Sequence, residues 1–257
     1  MNKLGKLLLA GALSLGLVGC SNTTEEEQVT LTLAAAASLE YAFEEKIIPM
    51  YEEAHPNINI EGTYDSSGKL QQQIENGLQA DVFFSAATKQ MNTLIEEGYI
   101  LEEDSTNLLQ NEVVLIVPEG STLDITNFES ILNANTIAIG DPESVPAGQY
   151  AKEAFDKLGI YSEVEAKSSL GTNVTEVLNW VAEGSADAGV VYASDAATTD
   201  KVKVVSSAQQ EGIIDPAMYP VATLKDSSHQ EEAKAFYEFL QSQEALDVFA
   251  EYGFTGV

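Results

Sequence analysis

The sequence has 257 residues, of which 44% are hydrophobic, so it is long and apolar enough for one large or two small globular domains and is not a disordered chain. It contains 41 acidic residues, 12 lysines and no arginine, and its formal net charge is -29. Because arginine is the usual tool for gripping nucleic acid backbones, this composition argues against a nucleic acid partner. One cysteine excludes an internal disulfide, and one cysteine with two histidines is too few for the usual type of zinc site.

The first twenty residues, MNKLGKLLLAGALSLGLVGC, place two lysines before an apolar run from Leu7 to Val18. The run is shorter than the roughly 20 residues that span a bilayer, and it is typical of an export signal. Its end, LVGC, resembles the lipobox of bacterial lipoproteins, which implies cleavage before Cys20, lipidation of that cysteine and a polar tether over 21–28. The alternative is a plain secretory signal with an incidental cysteine. We expect an exported protein that is lipid-anchored to the outer face of the cytoplasmic membrane.

Short apolar runs alternate with amphipathic segments along the first part of the mature chain. Ser38 is expected to cap the first helix, and Pro49 is expected to bend or interrupt it. The order βαβαβα is typical of a mostly parallel sheet with helices on both faces. The apolar runs predict strands over 29–36, 58–64 and 80–86, and the amphipathic segments predict helices over 38–56, 66–77 and 88–99.

A second set of elements follows from residue 111. The chain is therefore expected to form two α/β lobes. Strands are predicted over 111–120, 136–140, 186–196, 201–207 and 219–225, and helices over 147–158, 173–184, 229–240 and 243–250.

Five junctions between strands and helices carry hydroxyls or free backbone N–H groups. In α/β sheets ligands bind where strands lead into helices, and bare N–H groups at a helix start attract anions. Taken singly, the serines and the asparagine are typical helix caps and the tyrosine is a typical core residue. Taken together, the junctions predict an anion site. They hold Ser38 in AAAASLE, Ser66 and Ser67 in YDSSGKL, Ala147 and Gly148 in GDPESVPAG, Asn173 and Val174 in LGTNVTEV, and Tyr192 in VVYASDA.

At these residues the sequence resembles the molybdate-binding protein of bacterial ABC transporters, across nearly the whole mature chain. The longest matching stretch is GDPESVPAGQYAKEAFDKLG over 140–159. The other stretches that carry the resemblance are AAAASL (34–39), SSGKLQQQI (66–74), ADVFFSA (80–86), GVVYASDA (189–196) and FYEFLQSQEALDVFAEYGF (236–254).

The resemblance implies a two-lobed type II periplasmic-binding-protein fold, with the ligand in the cleft between the lobes. It implies that the oxyanion is held by Ser38, Ser67, Ala147, Val174 and Tyr192, through hydroxyls and backbone N–H groups. Asn173 is the alternative to Val174, because that match is the loosest.

We assign 29–111 plus 219–257 to the first lobe and 112–218 to the second, with a hinge near 111 and 219. The implied partners are molybdate or tungstate, an ABC permease with its ATPase, and the membrane through the lipid. We expect a monomer with no cofactor and no directly ligated metal cation.

Neutral donors favour a fully deprotonated tetrahedral oxyanion, because a proton on the ligand would face another donor. Sulfate also meets this criterion, so a binding protein of the same fold for sulfate or another oxyanion is the alternative. An enzyme is disfavoured: the sequence has no G-x-S-x-G or Walker A motif, and neither His55 nor His229 lies at one of the five junctions. The paired glutamates along the chain are typical of a solvated surface.

Overall fold

The computed structural model describes residues 28–257, which form two β-sheets with helices packed around them. The export signal, Cys20 and all but the last residue of the tether lie outside the described residues. Within residues 28–257, no helix is both long enough and apolar enough to pass through a bilayer.

The first part of the chain alternates strands and helices as its periodicity predicts. The helical segment after β1 runs from residue 37 to 54 but changes type, with a 3-10 turn at Ala37–Leu39 and a π-turn at Phe43–Ile47. Because proline offers no N–H to the carbonyl one turn back, the wide π-turn lets the helix continue through Pro49 without a break. The elements are β1 (Val29–Ala36), α1 (Glu40–Ala42), α2 (Ile48–Ala54), β2 (Ile58–Asp65), α3 (Ser67–Glu75), β3 (Val82–Phe84), α4 (Thr88–Glu96) and β4 (Ser105–Asn111).

The middle of the chain builds the second sheet. Its longest helix, α5, begins at Pro146, whose fixed φ suits a first helical position, and it ends before Gly159, whose φ of 72° closes the helix. The elements are β5 (Val113–Pro118), β6 (Ile137–Gly140), α5 (Pro146–Leu158), α6 (Tyr161–Glu165), β7 (Ser168–Gly171), α7 (Val174–Ala182), β8 (Ala188–Tyr192), α8 (Ala193–Ala197) and β9 (Val202–Ser207).

The last part of the chain returns to the first sheet, with β10 (Ala217–Thr223), α9 (Gln230–Leu240), α10 (Gln243–Glu251) and β11 (Thr255–Gly256). The chain passes from the first sheet to the second through Glu112 alone, between β4 and β5, and it returns through residues 208–216.

Both sheets are mixed rather than mostly parallel. The strand order is β11-β4-β10-β3-β1-β2 in the first sheet and β7-β6-β8-β5-β9 in the second. The pairs that involve β1 and β6 are parallel, because a helix connects those strands to their neighbours. The pairs that involve β4, β5 and β10, the strands next to the two crossings, are antiparallel.

The register places the ends of neighbouring parallel strands side by side. Ala36, the last residue of β1, is opposite Asp65, the last residue of β2. Gly140, the last residue of β6, is opposite Gly171, the last residue of β7. The segments that follow these four strands therefore lie next to each other in pairs, and the helical turns to which they lead contain four of the five predicted ligand residues.

The two sheets share one large apolar core, and a smaller one lies between α3, α4 and the first sheet. In the larger core, the rings of Phe43, Phe84 and Phe249 meet edge to face at centroid distances of 5.6–6.0 Å. Phe83, on the opposite face of β3 from Phe84, belongs to the smaller core. The strand is thus buried on both faces, as its continuous apolar run predicts.

Candidate oxyanion-binding site

The five residues predicted to hold the ligand line one small cavity, although they come from five separate segments of the chain. The cavity has a volume of about 10 Å³, roughly the space that one water molecule needs. The lining consists of Ser38, Ser67, Ala147, Val174 and Tyr192 together with Ala36, Ala37, Asp65, Ser66, Ala86, Val145 and Pro146.

Ser38 lies in the 3-10 turn that follows β1, and its predicted role as a helix cap is wrong. The cap position belongs to Ala36, and the Ser38 hydroxyl lies 3.0 Å from the hydroxyl of Tyr219. Tyr219 is 181 positions away in the sequence and comes from β10. A tertiary contact has therefore replaced the local cap, and it leaves Ser38 buried at the cavity wall.

Ser67 is the first residue of α3 and is fully buried. Its hydroxyl oxygen accepts a hydrogen bond of 2.9 Å from the backbone N–H of Ala86, which follows β3. Because that lone pair is engaged, the hydroxyl hydrogen is free to donate to another group in the cavity. The backbone N–H of Ser67 lies in the first turn of α3, where an amide has no acceptor within its own helix.

Ala147 is the second residue of α5 and contributes a first-turn amide to the cavity. The start of α5 packs closely on the end of β6. A Cβ atom on Gly148 would lie 2.0 Å from the carbonyl oxygen of Gly140, so only glycine permits this approach. The P-A-G part of the sequence thus combines a helix start with a residue that holds the start against the sheet.

Val174 is the first residue of α7, and the structure gives it and its neighbour Asn173 different positions. The side-chain oxygen of Asn173 accepts a hydrogen bond of 2.9 Å from the backbone N–H of Glu176, which is a helix cap. Asn173 lines a wider outer cleft, whereas Val174 lines the cavity with the other four residues. The geometry therefore favours Val174 over Asn173 as the cavity donor.

Tyr192 is the last residue of β8, and its side chain is buried between the rings of Tyr150 and Tyr219. Its hydroxyl donates a hydrogen bond of 3.4 Å to the carbonyl of Ala86. Burial, reinforced by the neighbouring tyrosines and Asp195, raises the pKa of Tyr192 well above its usual value. The hydroxyl therefore keeps its proton and remains a donor at any physiological pH.

The cavity wall carries one carboxylate, that of Asp65, and its charge is offset locally. The Asp65 carboxylate accepts hydrogen bonds from the backbone N–H of Ser66 at 2.7 Å and from the ammonium of Lys69 at 3.2 Å. Lys69 is thus paired with Asp65 and does not extend freely into solvent. Across residues 28–257, no cluster of three or more histidine, cysteine, aspartate or glutamate side chains could hold a metal ion.

The walls of the cavity touch each other across the two sheets. The backbone N–H of Gly68, at the start of α3, donates to the carbonyl of Ser144, just before α5, at 3.0 Å. Nearby, the amide of Gln90 on α4 donates to the side-chain carbonyl of Gln149 on α5 at 3.4 Å. With the Tyr192 to Ala86 contact, these bonds hold the two walls together around the cavity.

Seven cavity-lining residues are not among the predicted ligand contacts, and three of them carry polar groups that bear on the site: Asp65, Ser66 and Ala86. Ser66 was recognised at its junction, but only its neighbour Ser67 matched the family pattern. Ala86 follows a strand, which is the one signal in the sequence that could have placed it here. Its part in the site depends on its backbone N–H and carbonyl, which no side-chain motif reveals.

Three comparisons relate the chain to known proteins. The Bacillus subtilis protein YvgL, provisionally assigned by its name as an ABC transporter substrate-binding lipoprotein, is 46% identical over 97% of this chain and 94% of its own length. The molybdate-binding protein ModA of Escherichia coli is 35% identical over 97% of this chain and 96% of its own length. The solved substrate-binding domain of a provisionally assigned molybdenum ABC transporter from Clostridium difficile is 38% identical, with a TM-score of 0.68, and covers 90% of this chain and 100% of that one.

A family model described as bacterial extracellular solute-binding protein matches residues 31–255, almost everything that the structure describes. The relatives are solute-binding proteins and not enzymes. Their shared architecture is the two-lobed type II periplasmic-binding-protein fold that the sequence predicts. The chain therefore belongs to the bacterial extracellular solute-binding protein family.

Proposed function

We propose that this protein captures molybdate, and also tungstate, outside the cytoplasmic membrane and delivers it to an ABC importer. The observation that carries the proposal is the convergence of Ser38, Ser67, Ala147, Val174 and Tyr192 on one buried cavity. The names of the E. coli and C. difficile relatives, which refer to molybdate and molybdenum, support this choice of ligand.

The chemistry of the cavity suits a dianion with no proton. Charge-assisted hydrogen bonds from neutral donors contribute about 1.5–3 kcal/mol each, and several such bonds compensate for removing the ion from water. A ligand proton, as in hydrogen phosphate, would face an N–H or a hydroxyl whose own hydrogen already points inward. Such a clash of donors costs about 1–3 kcal/mol. Molybdate, tungstate and sulfate avoid this cost, and selection among them depends on size.

Ligand binding is coupled to closure in this proposal. Ser38 and Ser67 follow strands of the first sheet, whereas Ala147, Val174 and Tyr192 belong to segments of the second. An ion held by both groups stabilises the state in which the walls touch over the state in which they are apart, which is the differential affinity that closure requires.

We assign residues 29–111 and 219–257 to one lobe and 112–218 to the other. The passages of the chain between the sheets, at Glu112 and at 208–216, support a hinge at these places. The closed form then docks on the permease, and the ATPase drives transport.

Attachment to the membrane is proposed to occur through a lipid on Cys20. The lipobox-like end of the export signal supports this, as does the name of YvgL, which includes the word lipoprotein. A lipid there would hold the protein at the outer face of the cytoplasmic membrane, with a short polar tether before β1. Mass spectrometry of the protein purified from membranes, with Cys20→Ala as the control, tests the attachment.

Isothermal titration tests the ligand. Residues 21–257 contain every strand of both sheets, so this chain is titrated with molybdate, tungstate, sulfate and phosphate in turn. We expect tight binding of molybdate and tungstate, and no heat from phosphate. Preference for sulfate would retain the neutral-donor site but assign the protein to sulfate capture. No binding of any of the four would refute the proposal.

A further inference from the structure

A buried serine beside the predicted ligand set has no partner for its hydroxyl. Ser66 is 3% exposed and lines the cavity. Within the described residues its oxygen makes no hydrogen bond. The other side chains with a buried unpartnered atom are those of Tyr64, Gln90, Asn111 and Gln149, and none of these lines the cavity. A buried hydroxyl without a partner is costly, so its position at the wall of a binding site calls for a physical reason.

The local structure explains why this hydroxyl is not used as a helix cap. Ser66 occupies the position before α3, where serine normally accepts a hydrogen bond from an amide of the first turn. Here the amide of Gly68 donates instead to the carbonyl of Ser144, across the cleft, at 3.0 Å. An acceptor from the loop between β6 and α5 has taken over part of the capping function, and the serine hydroxyl does not cap the helix.

We propose that Ser66 is a further ligand-binding residue, whose hydroxyl donates a hydrogen bond to the oxyanion when the ion is held in the cavity. This inference rests on the proposed function. It adds a third serine to Ser38 and Ser67, and it assigns the two adjacent serines of the S-S-G sequence to the same ligand. The carboxylate of Asp65 does not compete for the Ser66 hydroxyl, because it accepts from the backbone N–H of Ser66 and from Lys69.

The chain offers a matched control in Ser242. Like Ser66, it precedes a helix of nine residues, in its case α10. Unlike Ser66, it performs the capping function, because its hydroxyl accepts a hydrogen bond of 3.2 Å from the backbone N–H of Ala245. Ser242 is not among the residues that line the cavity. The two serines therefore separate a capping role from a ligand-binding role.

The experiment compares wild type, Ser66→Ala, Ser66→Cys and Ser242→Ala in residues 21–257, by titration with molybdate and by thermal unfolding without ligand. We expect Ser66→Ala to weaken molybdate binding about 10- to 100-fold and to keep or raise the Tm of the ligand-free protein, because the hydroxyl it removes has no partner there. Ser66→Cys, which fills slightly more volume than serine but donates weakly, should lose affinity as well. Ser242→Ala should lower the Tm by a few degrees, about the effect of a lost cap, with wild-type affinity.

Two results would overturn the inference. Wild-type affinity in Ser66→Ala would show that the hydroxyl does not contact the ion. Wild-type affinity in Ser66→Cys, with a loss in Ser66→Ala, would assign the effect to filled volume rather than to a donor. If the wild type itself does not bind molybdate, both the proposed function and the inference fail. If the wild type binds and only the Ser66 variants behave otherwise than expected, the inference fails and the proposed function stands.

Discussion

Gly68 is a position where the backbones of the two cavity walls are in direct contact, and its replacement by alanine tests whether closure is part of binding. A Cβ atom on Gly68 would lie 2.4 Å from the carbonyl oxygen of Ser144 and 2.8 Å from its Cα. Both atoms belong to the backbone, so no side-chain rotation relieves the clash. Ordinary contact requires about 3.4 Å or more, so the walls must separate by about 1 Å.

The cost of this separation follows from the bonds that cross the cleft. The hydrogen bond from Gly68 to Ser144, 3.0 Å long, would lengthen to about 4 Å and break, which costs about 1 kcal/mol. The amide of Ala147, three residues after Ser144, would move away from an ion held by Ser67. Losing one charge-assisted bond adds about 1.5–3 kcal/mol. Together these losses, about 2.5–4 kcal/mol, predict molybdate binding about 70- to 900-fold weaker.

The ligand-free protein should not be weakened in the same way. When the walls are apart the added methyl group has room, and alanine is preferred over glycine in a helix by about 0.5–1 kcal/mol. Gly68→Ala is therefore expected to keep or raise the Tm without ligand and to lose most of the Tm increase that molybdate causes. Titration calorimetry and thermal unfolding measure the two effects.

A second glycine provides the control for this experiment. A Cβ atom on Gly256 would come no closer than 3.6 Å to its nearest neighbour, a methyl carbon of Leu246, so Gly256→Ala should bind molybdate as the wild type does. If Gly68→Ala also binds with wild-type affinity, close approach of the two walls is not needed for capture, and the closure mechanism is wrong.

Three further substitutions test the site. Ser67→Ala should weaken molybdate binding about 5- to 150-fold, which titration measures, and unchanged affinity would contradict the assignment. It should also destabilise the ligand-free protein by about 1–3 kcal/mol in unfolding experiments, because the N–H of Ala86 loses its acceptor. Tyr192→Phe keeps the buried ring and should lower affinity about 10- to 100-fold in the same titration, whereas equal affinity would remove this residue from the site. Burial raises the pKa of Asp195 from 3.8 to about 7, although the hydrogen bond from the Tyr192 N–H lowers it. The folded state therefore favours the protonated acid, and the stability of the wild type should fall as pH rises between these two values. Asp195→Asn should therefore unfold at a higher Tm than wild type near pH 8 and at a similar Tm near pH 4, and a difference that does not vary with pH would refute this account.

The alternation of strands and helices was predictable because burial imposes a period on the sequence. Buried strands such as β3 and β5 are continuous apolar runs, and α3 places Leu70 and Ile74 on its buried face. Three strands lack this signal. β4 (STNLLQN) and β7 (SSLG) are short and partly polar, and β11 has only two residues. Their pairing depends on neighbours far away in the sequence, so a local pattern does not reveal them.

The convergence of the predicted ligand residues on one cavity could be anticipated because they lie where strands end and helices begin. The carboxyl ends of parallel strands meet at one edge, so Ser38, Ser67, Ala147 and Val174 could be grouped before their distances were known. The roles of individual hydroxyls could not be assigned in this way. Ser38 looked like a cap until Tyr219 provided another partner. The resemblance assigns Ser67 and not Ser66 to the ligand, and the sequence gives no sign that Ser144 accepts from the first turn of α3 and leaves the Ser66 hydroxyl without a capping role.

A strongly acidic protein can hold a dianion because this cavity relies on donors rather than on countercharge. No lysine lines the cavity among the residues that the structure describes, and Lys69, which is close by in sequence, is paired with Asp65, so attraction from full positive charges contributes little. An arginine-lined pocket would bind hydrogen phosphate and molybdate alike, since both are anions of similar shape. A cavity of N–H and O–H groups instead distinguishes ligands by their protons, because each donor must find a bare oxygen. The acidic surface repels every anion, so it does not change the selection among anions. The inward-facing donors decide which anion remains bound.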